Sequence, residues 1–281
     1  MNAADLESDL AKRGWAVVDL PDPAPILRAR DRLLARLRQA APGLHDLDSY
    51  HAAVEDDRHI EILFGLASDF WESRLGPAIV ADNVDFFRRL LGPDLHVQRQ
   101  PYLRCVRPGR PEDAAPLHRD TYYGASPYEI SVLVPFADMT ADGAIRAIPG
   151  SHLEADAAYP YRQLPADPDL IGSPRHRLGY PYAPRLLDPS LAARAEPVPV
   201  RFGQAMIFGL SLVHGGGVNA GTRTRFSSDI RVVNSLAPVR LSRGVDAQYF
   251  VPLAASVISR SAQRYQAANE AAAEGASDAA P

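Results

Sequence analysis

LHVQRQPYLRCVR, residues 95–107, alternates between apolar and polar side chains. Leu95, Val97, Leu103 and Cys105 fall on one side, and His96, Gln98, Gln100, Tyr102 and Arg104 on the other. Successive side chains of a strand point to opposite faces, so this period of two predicts a strand with one greasy face and one polar face. Such a strand fits the wall of a barrel backed by helices, with the polar face turned into a cavity. By alternation alone, Gln98, Gln100, Tyr102 and Arg104 become candidates for that inner wall.

The sequence reads differently on either side of this stretch. Upstream, residues 1–94 look mainly helical. After a short apolar run, Trp15 to Leu20, a helix is expected behind the prolines of 21–25, with Ile26, Leu27, Leu33, Leu34 and Leu37 on one face. Two or three more helices are expected over 48–91. The last carries Ile79, Val80, Val84, Phe87 and Leu90 at helical spacing and ends at Gly92-Pro93. Downstream, short strand-like runs follow at 129–136, 144–148, 197–201, 205–213 and 225–235, separated by Gly and Pro, which points to a sandwich or barrel. Residues 155–190, rich in Pro, Tyr and Arg, interrupt the strands and read as a lid-like insertion. The expected organisation is one domain over 1–281, with a helical part (1–94), a β core (95–250) and a flexible tail (267–281) that begins as a helix and frays.

Composition narrows the function classes. With 46% apolar and 23% charged residues the chain reads as an ordinary globular protein. A net charge of −4 gives no global field to recruit nucleic acid or an anionic membrane. Cys105 is the only cysteine, which excludes an intrachain disulfide and a cysteine-rich zinc site. The opening MNAADLESDLAKRG lacks the apolar segment of a secretory leader, and no run approaches the roughly 18 apolar residues of a membrane helix. A cytoplasmic protein acting on a small molecule is the expectation. The sequence does not give the oligomeric state.

The chemistry is carried by His118-Arg119-Asp120. In extended chain, residues two apart point the same way, so His118 and Asp120 can converge on one ion while Arg119 points elsewhere. A lone His-x-Asp arises often by chance. Here a second histidine follows 96 residues later, His214, where the apolar run of GQAMIFGLSLVHGGGVN (203–219) meets a glycine-rich turn. Two imidazoles and a carboxylate on one face of an octahedron leave three positions open, the facial triad of non-heme Fe(II) oxygenases. Eleven residues further on, Arg225 and Ser227 share one face of a strand. A guanidinium makes paired hydrogen bonds to a carboxylate, and the hydroxyl can add a third, so both are candidates for holding 2-oxoglutarate. His152, in the turn Pro149-Gly150-Ser151-His152, reads as structural, and Ser151 as a cap. No P-loop, nucleophile elbow or HExxH helix is present.

From about 95 to 235 the chain resembles the phytanoyl-CoA dioxygenase family of Fe(II)/2-oxoglutarate oxygenases. LHRD (117–120), DGAIRAIPGSH (142–152) and VHGGGVN (213–219) followed by Arg225 stand in that family's order and spacing. The resemblance implies a mainly β protein with α elements: a double-stranded β-helix, or cupin-like jelly roll, with the helical layer packed outside. It implies Fe(II) on His118, Asp120 and His214, with 2-oxoglutarate on Arg225 and O2 as oxidant. Two positions depart from or blur the pattern. Family members often carry Ser or Thr two residues after the distal histidine, where this chain has Gly216. Phe136 stands about where the family has an aromatic residue near the end of a strand. Related halogenases lack the carboxylate, so Asp120 favours oxygenation, as hydroxylation or another oxidation releasing succinate and CO2. Thr121, Tyr122 and Tyr123 are expected at the mouth of the site. Tyr159, Tyr161, Arg162, Arg175, Arg177, Tyr180, Tyr182 and Arg185 are expected to give the lid a preference for polar or anionic molecules, such as natural-product intermediates. The competing reading is a cupin-like metalloprotein of another type, an isomerase or a dioxygenase that needs no keto acid and no Arg225.

Overall fold

The computed structural model describes residues 3–162, 172–179, 184–238 and 249–277. The chain opens with helix α1 (Ala3–Arg13), closed by Gly14 at φ +90°, where the backbone N–H turns back to the carbonyls of Asp9 and Leu10. Strand β1 (Trp15–Asp19) leads into α2 (Ala24–Ala40), which starts with Pro25 in its first turn. Then come α3 (Tyr50–Ala53), α4 (His59–Glu72), α5 (Leu75–Ala81) and α6 (Val84–Leu91). The remaining strands are β2 (Leu95–Gln98), β3 (Tyr102–Val106), β4 (Glu129–Pro135), β5 (Ile145–Ala147), β6 (Tyr161–Arg162), β7 (Arg185–Leu186), β8 (Glu196–Val198), β9 (Gln204–Gly209), β10 (His214–Gly216), β11 (Arg225–Asn234) and β12 (Phe250–Ala254). Helix α7 (Pro174–Arg177) lies between β6 and β7, and α8 (Val257–Ser277) closes the described chain.

The strands form a jelly roll with helices outside. The larger sheet runs β1-β9-β4-β11-β2-β12, with β3 also on β11; the smaller runs β10-β5-β8; every pair is antiparallel. Alternation assigns the faces. Phe226, Ile230 and Val232 of β11, with Val132 and Val134 of β4 and Ala205 and Ile207 of β9, pack against Ile26, Leu33, Leu63, Phe70 and Ile79 of the helices. The opposite face sends Leu133, Met206 and Phe208 into a second core with Ile145, Ala147 and Val198 of the smaller sheet. The odd-numbered residues at one end of β11, Arg225, Asp229 and Arg231, line a cavity instead. A polar row is tolerated inside a protein only where it meets a partner or a ligand.

Several expectations are refined. Leu27 is 46% exposed, and α2 buries Ala29 beside Ile26, Leu33 and Leu37. The expected last helix is two helices, because Asn83 interrupts it: its side chain donates to the carbonyls of Ile79 and Asp22 and accepts from Asp22 N–H. Residues 95–107 form two strands. Val97 faces Val232 and Tyr102 faces Asp229, so five steps on one side match three on β11, an excess of two residues at the bulge ending in Pro101. The chain is helical from Val257 to Ser277, into the tail that was expected to begin as a helix and fray. No described helix is long and apolar enough to cross a membrane.

Candidate metal and keto-acid site

The two histidines are brought together by backbone hydrogen bonds. His118 N–H donates to His214 O at 2.8 Å and His214 N–H to His118 O at 2.9 Å, an antiparallel bridge that sets the imidazoles side by side, ring centroids 4.8 Å apart. Asp120 follows at the start of a short 3-10 turn, its N–H on Leu210 O at 3.1 Å. Its Oδ1 lies 3.6 Å from His118 Nε2 and its Oδ2 3.5 Å from His214 Nε2. Candidate donor atoms of all three residues lie within 4.8 Å of one another, and all three side chains are buried.

The donor set suits a divalent metal in its protonation as well as its spacing. His118 Nδ1 lies 2.7 Å from Pro116 O and His214 Nδ1 3.0 Å from Leu212 O. A carbonyl only accepts, so each Nδ1 carries the proton and each Nε2 turns a lone pair to the centre. Burial pushes the His214 imidazole down to about 4, overcoming the pull of Asp120, and keeps it neutral. Burial alone would raise the Asp120 carboxyl; the adjacent Arg231 guanidinium outweighs it and holds the group ionised, far below the usual carboxylate range. Asp120 Oδ2 is buried and ion-paired with Arg231 Nη2 at 2.9 Å, without a hydrogen bond of good geometry, and Oδ1 is 3.6 Å from His118 Nε2. A carboxylate beside two imidazole lone pairs is a donor set for a divalent cation.

The glycines after His214 serve close approach. A Cβ on Gly215 would stand 2.5 Å from Pro116 O, inside the backbone that carries His118. A Cβ on Gly216 would meet the Arg225 guanidinium at 3.4 and 3.6 Å, so Gly216 provides the flat surface on which that group rests. Arg225 Nη1 also donates to Gly143 O at 2.9 Å, which fixes its plane beside the cavity. The position where family members often place a hydroxyl thus faces the arginine directly. Ser151 Oγ accepts from Val213 N–H at 2.9 Å, tying the Pro149–His152 turn to the residue before His214 rather than capping a helix. His152 packs beside Gly14 at the end of α1, away from the three ligands.

The cavity between the sheets has a volume of about 250 Å³ and takes in His118, Asp120, His214, Arg225, Tyr102 and Tyr123. Ser227 shares the face of Arg225 and is fully buried, its Oγ without a hydrogen-bond partner. The expectation for Gln100 is corrected: it sits in the bulge, exposed, on a separate surface hollow with Arg99 and Arg177. Gln98 is buried against backbone, its side chain accepting from Arg231 N–H and donating to Gln100 O. Phe136 packs edge-on against Phe70 in the outer core, away from the site. Tyr123 stands edge-on to His118, while Tyr122 stacks on Tyr161 and donates to Tyr159 O.

Arg119 points away from the His118–Asp120–His214 cluster, as alternation requires. Its guanidinium donates to Ser151 O and Glu154 O, pairs with Asp156 and lies over the Tyr159 ring. It thus anchors the start of the long insertion beneath the ligands. Within that insertion His176 and Gly179 reach the cavity, and Arg177 instead covers the rings of Phe64 and Trp71. Arg175 is exposed, and Tyr180 and Tyr182 lie outside the described residues. Polar cavity residues absent from the sequence reading include Asp113, Asp229, Arg231 and Tyr249. The alternation that singled out Arg225 and Ser227 continues to Asp229 and Arg231 on the same strand, so that signal was available.

A family model for phytanoyl-CoA dioxygenase matches residues 24–227. The chain belongs to the phytanoyl-CoA dioxygenase family. With the two histidines and the carboxylate in place, this makes it a non-heme iron enzyme of the oxygenase type that depends on 2-oxoglutarate. Among solved structures it is similar to the non-heme monooxygenase ThoJ without metal, at TM-score 0.56 and 22% identity over 90% of this chain and 84% of that one. The nickel complex of ThoJ gives TM-score 0.52 and 21% identity over the same shares. The epimerase SnoN, solved with Fe3+, alpha ketoglutarate and nogalamycin RO, gives 0.47 and 16% over 84% of this chain and 85% of that one. At these identities the ThoJ likenesses speak to the fold alone. No curated protein matches the chain.

Proposed function

We propose that this protein is an Fe(II)/2-oxoglutarate-dependent dioxygenase that hydroxylates, or otherwise oxidises, a small polar molecule such as a natural-product intermediate. His118, Asp120 and His214 hold the iron. Arg225 receives the far carboxylate of 2-oxoglutarate, with Ser227 and Tyr102 on the same wall. The observation that carries this reading is the pair of Nε2 atoms facing Asp120, each imidazole proton already spent on a carbonyl, beside an arginine laid flat on Gly216. The bound metal and keto acid supply the oxidising power from O2 and release succinate and CO2.

The chain's own residues do the rest. The His118–His214 bridge holds the three ligands side by side, so that a metal held by them would keep positions free for cosubstrate and oxidant. Arg225 sets the direction of the keto acid, and the buried wall of β11 keeps bulk water from the centre. Tyr102, Arg104 and Asp229 present hydrogen-bonding groups of both signs to a substrate, which supports a polar molecule. Screening compounds for those that raise succinate release tests the reading. Coupled succinate formation with a polar compound is expected, absent in Asp120→Ala; full activity in that variant would refute it.

A further inference from the structure

Arg231 occupies an expensive position. It is almost fully buried, it lines the metal cavity, and among the described residues its one ion pair is to Asp120, Nη2 to Oδ2 at 2.9 Å. A fixed cation this close to a site for a divalent metal opposes the metal by charge, and burying it is unfavourable before pairing. Its Nη1 is buried without a hydrogen-bond partner. The guanidinium is paired with one oxygen of the ligand carboxylate. Asp120 Oδ2, which also lies 3.5 Å from His214 Nε2, is the oxygen that Arg231 engages, and Oδ1, 3.6 Å from His118 Nε2, is the oxygen that Arg231 does not hold.

Resting on the metal and keto-acid reading above, we infer that Arg231 is a positioning residue that holds Asp120 to one-oxygen ligation. A carboxylate free to bind through both oxygens would take a second coordination position. The triad leaves three, of which a chelating keto acid uses two and O2 the last. Arg231 therefore protects the vacancy on which the reaction depends, at some expense in metal affinity. β11 serves the site twice: Arg225 faces the keto acid, and Arg231, on the same face of the strand, faces the metal carboxylate.

The proposal predicts opposite movements of two affinities, both measured without turnover. Under anaerobic conditions, Fe(II) is titrated into metal-free wild type, Arg231→Met and Arg231→Lys, and 2-oxoglutarate is then titrated into each metal complex. In Arg231→Met, Fe(II) should bind as tightly as in wild type or tighter, while 2-oxoglutarate binding weakens tenfold or more. Arg231→Lys, which keeps the charge, should recover part of the loss. Loss of both affinities together would mark Arg231 as merely structural, and no change in either would also overturn the proposal. A structure of the nickel-loaded wild type decides the point independently of how the variants fold. Asp120 should bind through one oxygen with Arg231 on the other, and two-oxygen ligation would refute the inference. If the wild type takes up neither Fe(II) nor 2-oxoglutarate, the underlying functional reading fails instead.

Discussion

The metal corner and the opposite wall of the cavity are built by different means. At the corner, His118 and His214 are locked by reciprocal backbone hydrogen bonds, and Gly215 lets the two segments touch with no room for a Cβ. At the opposite wall, side chains do the joining. Arg104 reaches Leu178 O at 2.8 Å, pairs with Asp229 at 3.3 Å and lies over the Tyr102 ring. Backbone-fixed geometry tolerates little substitution, whereas a side-chain lattice can be changed one residue at a time without refolding the sheet. On the proposed function, the corner would set the reaction and the side-chain wall would select the molecule.

The largest effect should come from the corner. His214→Ala should cost about 4 kcal/mol of catalysis, roughly a thousandfold in rate, because one ligand of the metal is lost. Retention of substrate-dependent succinate formation would break the contrast at its root. Next, Arg225→Met should weaken 2-oxoglutarate binding about 100-fold, the equivalent of about 3 kcal/mol for a lost charge-assisted pair, with Fe(II) affinity unchanged. Equilibrium titration of each ligand separates the two.

Gly215→Ala should destabilise the fold by about 2 kcal/mol in a denaturant titration, since its Cβ would collide with Pro116 O. Gly216→Ala, with its nearest neighbour at 3.4 Å, should cost less stability and act mainly through Arg225. At the opposite wall, Arg104→Gln should raise the substrate KM about tenfold, the order of one lost hydrogen bond to a charged group, and leave metal and keto-acid binding intact. Equal damage to all three ligands would erase the distinction between corner and wall.

The smallest effect lies outside the cavity. His59 is buried between Tyr50 and Asp113, and its imidazole is pushed down to about 4, by burial first and then by Arg107. The unfolded chain takes up this proton near pH 6.5, while the folded one stays neutral to about 4. In that window the unfolded state binds more protons, so stability falls as pH falls. His59→Gln should flatten this dependence between pH 6.5 and 4, read from unfolding free energies, with activity at neutral pH unchanged.

Legibility in the sequence follows the same division. A sandwich or barrel was readable from the short strand-like runs between Gly and Pro, the jelly roll followed from the family resemblance, and His118, Asp120 and His214 were readable because each stands in a short motif. Arg225 was readable by its distance from His214. Gln100 was misplaced because alternation continues through a bulge that only the pairing with β11 reveals. The break at Asn83 was hidden because its partners lie at Asp22 and Ile79, and an apolar period carries no record of such a contact. Arg231 was visible by parity but mute about purpose, since its role depends on Asp120, far away in sequence and 2.9 Å away in space. The Arg104–Leu178 contact joins a strand to the long insertion, where no periodicity guides the reading.

The most direct test of the central claim is an anaerobic titration of the metal-free protein with Fe(II) and then 2-oxoglutarate, followed by visible absorption. The account predicts a metal-to-ligand charge-transfer band that saturates at one equivalent of each and is absent in Asp120→Ala. A wild-type protein that binds Fe(II) but develops no such band with 2-oxoglutarate would contradict it.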